Sequence, residues 1–282
     1  MKDFYQIIKE IALLIAGALV GIIFIPYENE IFKSLGLIIG VIAVLILFGI
    51  GITEHICNFW VFLCRKMNNR KNRIYFYAPY EINGNNSSWV DLSLCQITKY
   101  LKDNGTACVR GKKEKLIFRY PITINPYGGT YPEKNISQLQ TLNNIFDYVC
   151  KGGIYVNIAD IPFYYAYDEN LQRRVDTTPL AGNFSQVRSF LQTILTTKLH
   201  CFVFSLTSGD DFNNGITRII SLQENSKNFF DRDILIGNNQ EKFTPQLAIP
   251  YGKGYFVFST ILINKDNLNL LNVLLNRTLK LS

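Results

Sequence analysis

The sequence predicts an α/β domain with a doubly wound, mostly parallel sheet, preceded by a two-helix transmembrane hairpin. Three observations lead there. Two long apolar runs fall within the first 52 residues, and a basic cluster follows them. Beyond that cluster, short β-branched and aromatic runs alternate with stretches of helical periodicity, the pattern of strands joined by crossover helices.

The hairpin comes first in the chain. Leu35 to Ile52, LGLIIGVIAVLILFGIGI, is eighteen residues without a charge. At about 1.5 Å per residue it covers roughly 27 Å, close to the thickness of a hydrocarbon core. Ile11 to Ile25 is shorter, but Phe4, Tyr5, Ile7 and Ile8 extend it, and Lys9 can return its ammonium to the interface. The expected spans are 5–26 and 35–54. No small-residue cleavage site follows the first run, where Pro26-Tyr27-Glu28-Asn29-Glu30 stands instead. Gly17 and Gly21, then Gly36 and Gly40, give each span a pair of small residues four apart, a surface for helix packing and homo-oligomer formation.

Arg65, Lys66, Arg70, Lys71 and Arg73 follow the second span, while the connection between spans holds Glu28, Glu30 and only Lys33. The positive-inside rule places the N-terminus and the domain at 74–282 in the cytoplasm, beneath an inner (plasma) membrane. The segment 65–73 reads as a juxtamembrane linker in contact with anionic lipid. It supplies five of the net +7 charges, and the remaining chain is close to neutral, so the bilayer rather than a nucleic acid accounts for a pI of 9.0. Six cysteines without a CxxC spacing and two histidines leave no metal site and no cofactor expected.

Within 74–282 the elements are expected in order. Ile74–Ala78 is a strand stopped by Pro79, and Ser88 caps a helix from Trp89 to Lys102. Strands follow at Thr106–Val109, Leu116–Phe118 and Pro121–Ile124. A helix covers Ile136–Cys150, ended by Gly152-Gly153, and the strand Ile154–Asn157 comes next. A third helix is expected at 184–197, then a buried strand at Cys201–Ser205. Gly252-Lys253-Gly254 precedes an apolar strand rather than a helix, so it reads as a tight turn and not as a phosphate loop. The aromatic cluster Phe163–Tyr167 can either line a pocket or cover the sheet.

Ile124-Asn125-Pro126-Tyr127-Gly128, the step Tyr148-Val149-Cys150-Lys151-Gly152-Gly153-Ile154-Tyr155-Val156-Asn157, and Pro250 to Ser259 together resemble the class I glutamine amidotransferase-like superfamily. The resemblance covers about 73–282 and implies its flavodoxin-like sheet. Working members of that family carry a cysteine between glycines on the turn after a strand, with a histidine–glutamate pair later. Here the turn reads Asn157-Ile158-Ala159-Asp160-Ile161, and no histidine follows His200. A thiolate without its base is not activated. The resemblance therefore implies a non-catalytic member, a pseudoenzyme that keeps the fold.

In an open sheet of this kind ligands bind at the carboxyl ends of the strands. The segments expected there are Pro79–Ser88, Asn125–Glu133, Asn157–Tyr167 and Ser205–Asp211, and Tyr127, Asn157, Asp160, Tyr164 and Asp210 are expected to surround one cleft. Two functions stay open. One is a membrane-anchored sensor, effector or scaffold that binds a small ligand or a protein. The other is a tethered hydrolase using Asp160, Asp210 and Asp211 in place of the missing cysteine.

Overall fold

The computed structural model describes residues 30–70, 73–136, 138–176, 199–206, 209–213, 216–236 and 241–282. The chain divides into two compact units, Met1–Leu63 and Cys64–Ser282.

The N-terminal structure corrects the hairpin. One helix, α1 (Glu30–Arg70), runs 41 residues without interruption. Thr53 Oγ1 donates back to the Gly49 carbonyl at 3.0 Å, and the helix passes straight through the expected boundary near residue 54. Among the described residues no helix is long and apolar enough to cross a membrane. Of the run Leu35–Ile52, the large side chains described are Ile38, Val41, Ile42, Leu45 and Ile52, all exposed. The expected transmembrane hairpin and the inner-membrane location it implied are corrected by this helix. The expected span 5–26, with Gly17 and Gly21, and Lys71 lie outside the described residues, as does the helix expected at 184–197. Gly36 and Gly40 fall within α1.

One residue of the basic cluster makes contacts within the second unit. Arg65 Nη1 donates to the Lys151 carbonyl at 2.8 Å, and its guanidinium lies 5.4 Å from the centre of the Tyr148 ring. Asn68 Nδ2 donates to the Arg119 carbonyl at 2.9 Å. Arg73 opens the first strand. Arg65 and Asn68 thereby fasten this end of α1 within the unit that begins at Cys64.

The second unit is built on a seven-stranded sheet. Its strands are β1 (Arg73–Tyr77), β2 (Ala107–Gly111), β3 (Ile122–Asn125), β5 (Ile154–Asn157), β10 (Lys227–Asn228), β13 (Gln246–Tyr251) and β14 (Gly254–Ser259), in the order β10-β13-β14-β5-β3-β1-β2. Neighbours from β2 to β14 pair in parallel, whereas β13 and β10 are antiparallel to theirs. Two further sheets stand beside it. Strands β4 (Thr130–Glu133), β6 (Tyr165–Asp168) and β7 (Arg173–Asp176) form a mixed three-stranded sheet. Strands β8 (Val203–Ser205), β9 (Arg218–Ser221), β11 (Ile234–Ile236) and β12 (Glu241–Thr244) form an antiparallel four-stranded sheet. The doubly wound, mostly parallel class is thus corrected to a mixed arrangement of three sheets. The reason lies in short connections. A hairpin at Gly252-Lys253, with Gly252 at φ +58, reverses the chain where a crossover helix would have kept it parallel.

Period-two alternation assigns the faces of the large sheet. Ile74, Phe76, Ile122, Ile124, Ile154, Val156 and Val257 point to one side, packed by α2 (Leu94–Asp103) and α5 (Leu268–Leu279). Tyr75, Tyr77, Tyr155, Phe256 and Phe258 point to the other, beneath α3 (Gln140–Cys150). One side is almost wholly aliphatic and the other aromatic.

Three local expectations shift. The helix expected from Trp89 begins at Leu94, because Trp89 has φ +59, which an α-helix forbids. Ser93 caps it instead, in a reciprocal capping box with Gln96. Leu116–Phe118 lies in a 3₁₀ turn, Glu114–Arg119, and not in a strand. Cys201–Ser205 shortens to β8 at the end of the antiparallel sheet, where Phe204 is 45% exposed rather than buried.

Candidate functional site

The parallel strands end together at one edge, and the strand order reverses between β1 and its neighbours β2 and β3. In open α/β sheets that reversal opens a crevice at the strand C-termini. Two different groups of residues occupy this edge.

The first is a buried polar knot. Asn125 and Asn157 are paired residues at the ends of β3 and β5. Asn125 Nδ2 donates to Asn157 Oδ1 at 2.7 Å and to the carbonyls of Gly128 and Thr130, and Asn157 Nδ2 donates to the Ala159 carbonyl at 2.7 Å. Asp160 follows at φ +57 and forms an ion pair with Arg218 of β9. The Arg218 guanidinium also lies over the Trp89 ring, 4.3 Å from its centre. Gly128, at φ +67, leaves no room for a Cβ against the Ser88 carbonyl, and a Cβ on Gly129 would come within 2.7 Å of the Asp160 carboxylate. Ser88, expected as a helix cap, accepts from the Gly129 N–H at 3.0 Å instead. Trp89, Asp160 and Phe163 all hold positive φ here, and non-glycine residues held so persist only where surrounding contacts fix them.

The second group lines a cavity of about 300 Å³. Tyr77, Pro79 and Tyr80 reach it from the end of β1, and Lys112 from the end of β2. Pro132, Glu133 and Lys134 enter from β4, and Glu169 from the end of β6. Tyr77, Pro132 and Glu133 are buried and make the floor, while Lys112, Lys134 and Glu169 form an exposed rim. The Glu133 carboxylate is fully engaged: it accepts from the N–H groups of Lys134, Thr141 and Leu142 at 3.0–3.1 Å. Two of those are orphan donors in the first turn of α3, whose own cap residue, Leu139, offers no side-chain acceptor. Burial pushes the Glu133 carboxyl above its ordinary range, more than its three donors pull it down. Burial likewise raises the Tyr77 phenol, and Glu114, Tyr80 and Glu133 nearby add to it, so the hydroxyl keeps its proton.

The expected site residues divide between these groups. Tyr127, Asn157 and Asp160 belong to the knot, each at most 1% exposed, with their polar atoms turned inward. Tyr127 bears on the cavity indirectly. Its hydroxyl donates to the Tyr80 carbonyl at 2.6 Å and accepts from the Tyr80 N–H at 2.9 Å, fixing the backbone of a cavity wall. Tyr164 packs its ring edge-on to Tyr165 at 4.7 Å in the turn before β6. Asp210 begins the short helix α4 (Asp210–Asn213), exposed, in the region of the four-stranded sheet. Neighbouring Asp211 pairs with Arg232. Of the aromatic cluster, Phe163 is buried against Tyr131, Tyr155 and Phe258 and covers the sheet. Lys112 and Glu169, missed in the sequence, carry no signal there, since a lysine after a strand and a glutamate in a turn are common surface choices. Among the described residues no cluster of three or more metal-ligating side chains occurs.

No family model matches the sequence, and no curated protein matches it. Among solved structures, the chain is similar to a β-galactosidase from Bacillus circulans sp. alkalophilus, with a TM-score of 0.36 and 12% identity over 73% of this chain. The match spans 31% of that enzyme's chain, and no functional argument rests on it.

Proposed function

We propose that the Cys64–Ser282 unit is a non-catalytic module that binds a small polar ligand at the C-terminal edge of its parallel strands. The observation that carries this reading is the cavity beside the strand-order reversal, with a buried floor, polar groups and an ordinary size for the lower end of ligand pockets.

A binding role fits the chemistry better than turnover. Where the amidotransferase-like resemblance expects a nucleophile, Asp160 holds the strained backbone but is locked to Arg218. Burial pushes the thiols of Cys108 and Cys201 up to about 12, which leaves them un-ionised at neutral pH. Asp160 and Asp211, two of the three carboxylates named for a hydrolase, are each paired with an arginine.

The test is thermal stabilisation of the full chain by pools of small polar metabolites, repeated with Glu169→Trp to obstruct the rim. Stabilisation by one pool that E169W abolishes supports the reading. Stabilisation indifferent to E169W, or ammonia released from glutamine above background, ends it.

A further inference from the structure

The free hydrogen-bonding groups of this cavity define what it holds, given that it is a binding site at all. Among the described residues the Lys112 ammonium and the Glu169 carboxylate form no ion pair, and the Tyr77 hydroxyl has no hydrogen-bond partner. Lys134 is not equivalent, because it turns toward Glu114 at 3.8 Å. On the floor the Glu133 oxygens are taken up by backbone donors, which leaves the Tyr77 O–H as the group on offer. An ammonium donates only, and a buried phenol offers its proton. Floor and one side of the rim therefore call for an acceptor, and the ammonium charge favours an anionic oxygen. Glu169 accepts only and calls for a donor, and its charge favours a cationic one. A hydroxyl-rich neutral ligand can hydrogen-bond to either end but leaves both charges uncompensated, and a simple anion would meet Glu169 with like charge.

We infer that this cavity takes a small zwitterion, its carboxylate bound by Tyr77 and Lys112 and its ammonium by Glu169. A volume of about 300 Å³ equals about ten water volumes at roughly 30 Å³ each, which sets the ligand at on the order of ten non-hydrogen atoms.

The experiment is calorimetric titration of the full chain with unbranched ω-amino carboxylates of increasing length. Matched alkyl carboxylates, alkylamines and a neutral hexose run as parallel arms. One chain length should bind best, and each half-molecule should bind at least about tenfold more weakly, the loss of one charge-assisted contact. K112Q should remove the advantage of the carboxylate and E169Q that of the ammonium. Both residues are on the exposed rim, so neither change threatens folding, and the double swap K112E with E169K should restore binding. Alkyl carboxylates binding as well as the zwitterion, or the hexose binding instead, would overturn the zwitterion while leaving the cavity a binding site. No binding in any arm, with the metabolite pools also silent, would end both readings.

Discussion

The knot and the cavity share one edge of the sheet, yet they treat polar atoms in opposite ways. In the knot, Asn125, Asn157, Asp160 and Arg218 are partnered with one another or with backbone, and the three from the strand ends are almost fully buried. In the cavity, Lys112, Glu169 and the Tyr77 hydroxyl stand without partners among the described residues. The first group holds the strand ends in register and the second is available to something else. A polar residue at a strand C-terminus is therefore no sign of a ligand until its hydrogen bonds have been counted.

The sharpest way to break this contrast is Asp160→Ala. Removing one member of a largely desolvated pair leaves the Arg218 charge uncompensated and should lower stability by about 3 kcal/mol, read from urea unfolding midpoints. A loss below about 0.5 kcal/mol, the range of neutral surface changes, would mean that the knot is not structural. Tyr127→Phe, which strips both hydrogen bonds from the Tyr80 backbone, should cost about 1–2 kcal/mol and weaken any cavity ligand.

Glu133→Gln should cost about 1 kcal/mol, because the amide nitrogen cannot accept the backbone N–H that one carboxylate oxygen now takes. The pH dependence has a definite sign. The folded carboxyl titrates above its ordinary 4.5. The folded state thus binds this proton more tightly than the unfolded one. The resulting stabilisation is complete below the unfolded value and lost as pH rises through the raised one. Wild type should accordingly lose ground to the non-titrating E133Q as pH rises above the ordinary 4.5, and a gap that widens instead would reverse the assignment.

The smallest effect is expected at the rim, where K112Q and E169Q should each change stability by less than about 0.5 kcal/mol. Thiol labelling gives an independent check on burial. The exposed Cys57, Cys95 and Cys150 should react at about pH 8, and Cys108 and Cys201, whose thiols burial pushes up to about 12, should not until the chain unfolds.

Much of the large sheet is legible from short-range pattern. Ile154–Asn157 is a strand at its expected bounds, because an apolar β-branched run follows a double glycine. The segments Pro79–Ser88 and Asn125–Glu133, expected at the strand C-termini, do supply Pro79, Tyr80, Pro132 and Glu133 to the cavity. What was not legible depends on tertiary contact. Trp89 is held at positive φ under Arg218, 129 residues away in sequence, which no local propensity reports. The cap of α3 comes from Glu133 rather than from the residue before the helix. The apolar run Leu35–Ile52 lies inside a helix that continues far beyond it, and run length alone could not set that helix's end.

The clamp on Tyr80 bears on the kinetics of recognition. One phenol holds both the N–H and the carbonyl of the same residue, so that stretch of cavity wall is already fixed before anything arrives. A rigid wall loses little further entropy when a ligand settles against it, and that saving is retained as affinity. Association should then follow a single exponential whose rate is linear in ligand concentration, with no slow ordering phase. Tyr127→Phe would release the wall and expose that phase, even with every residue that faces the cavity unchanged.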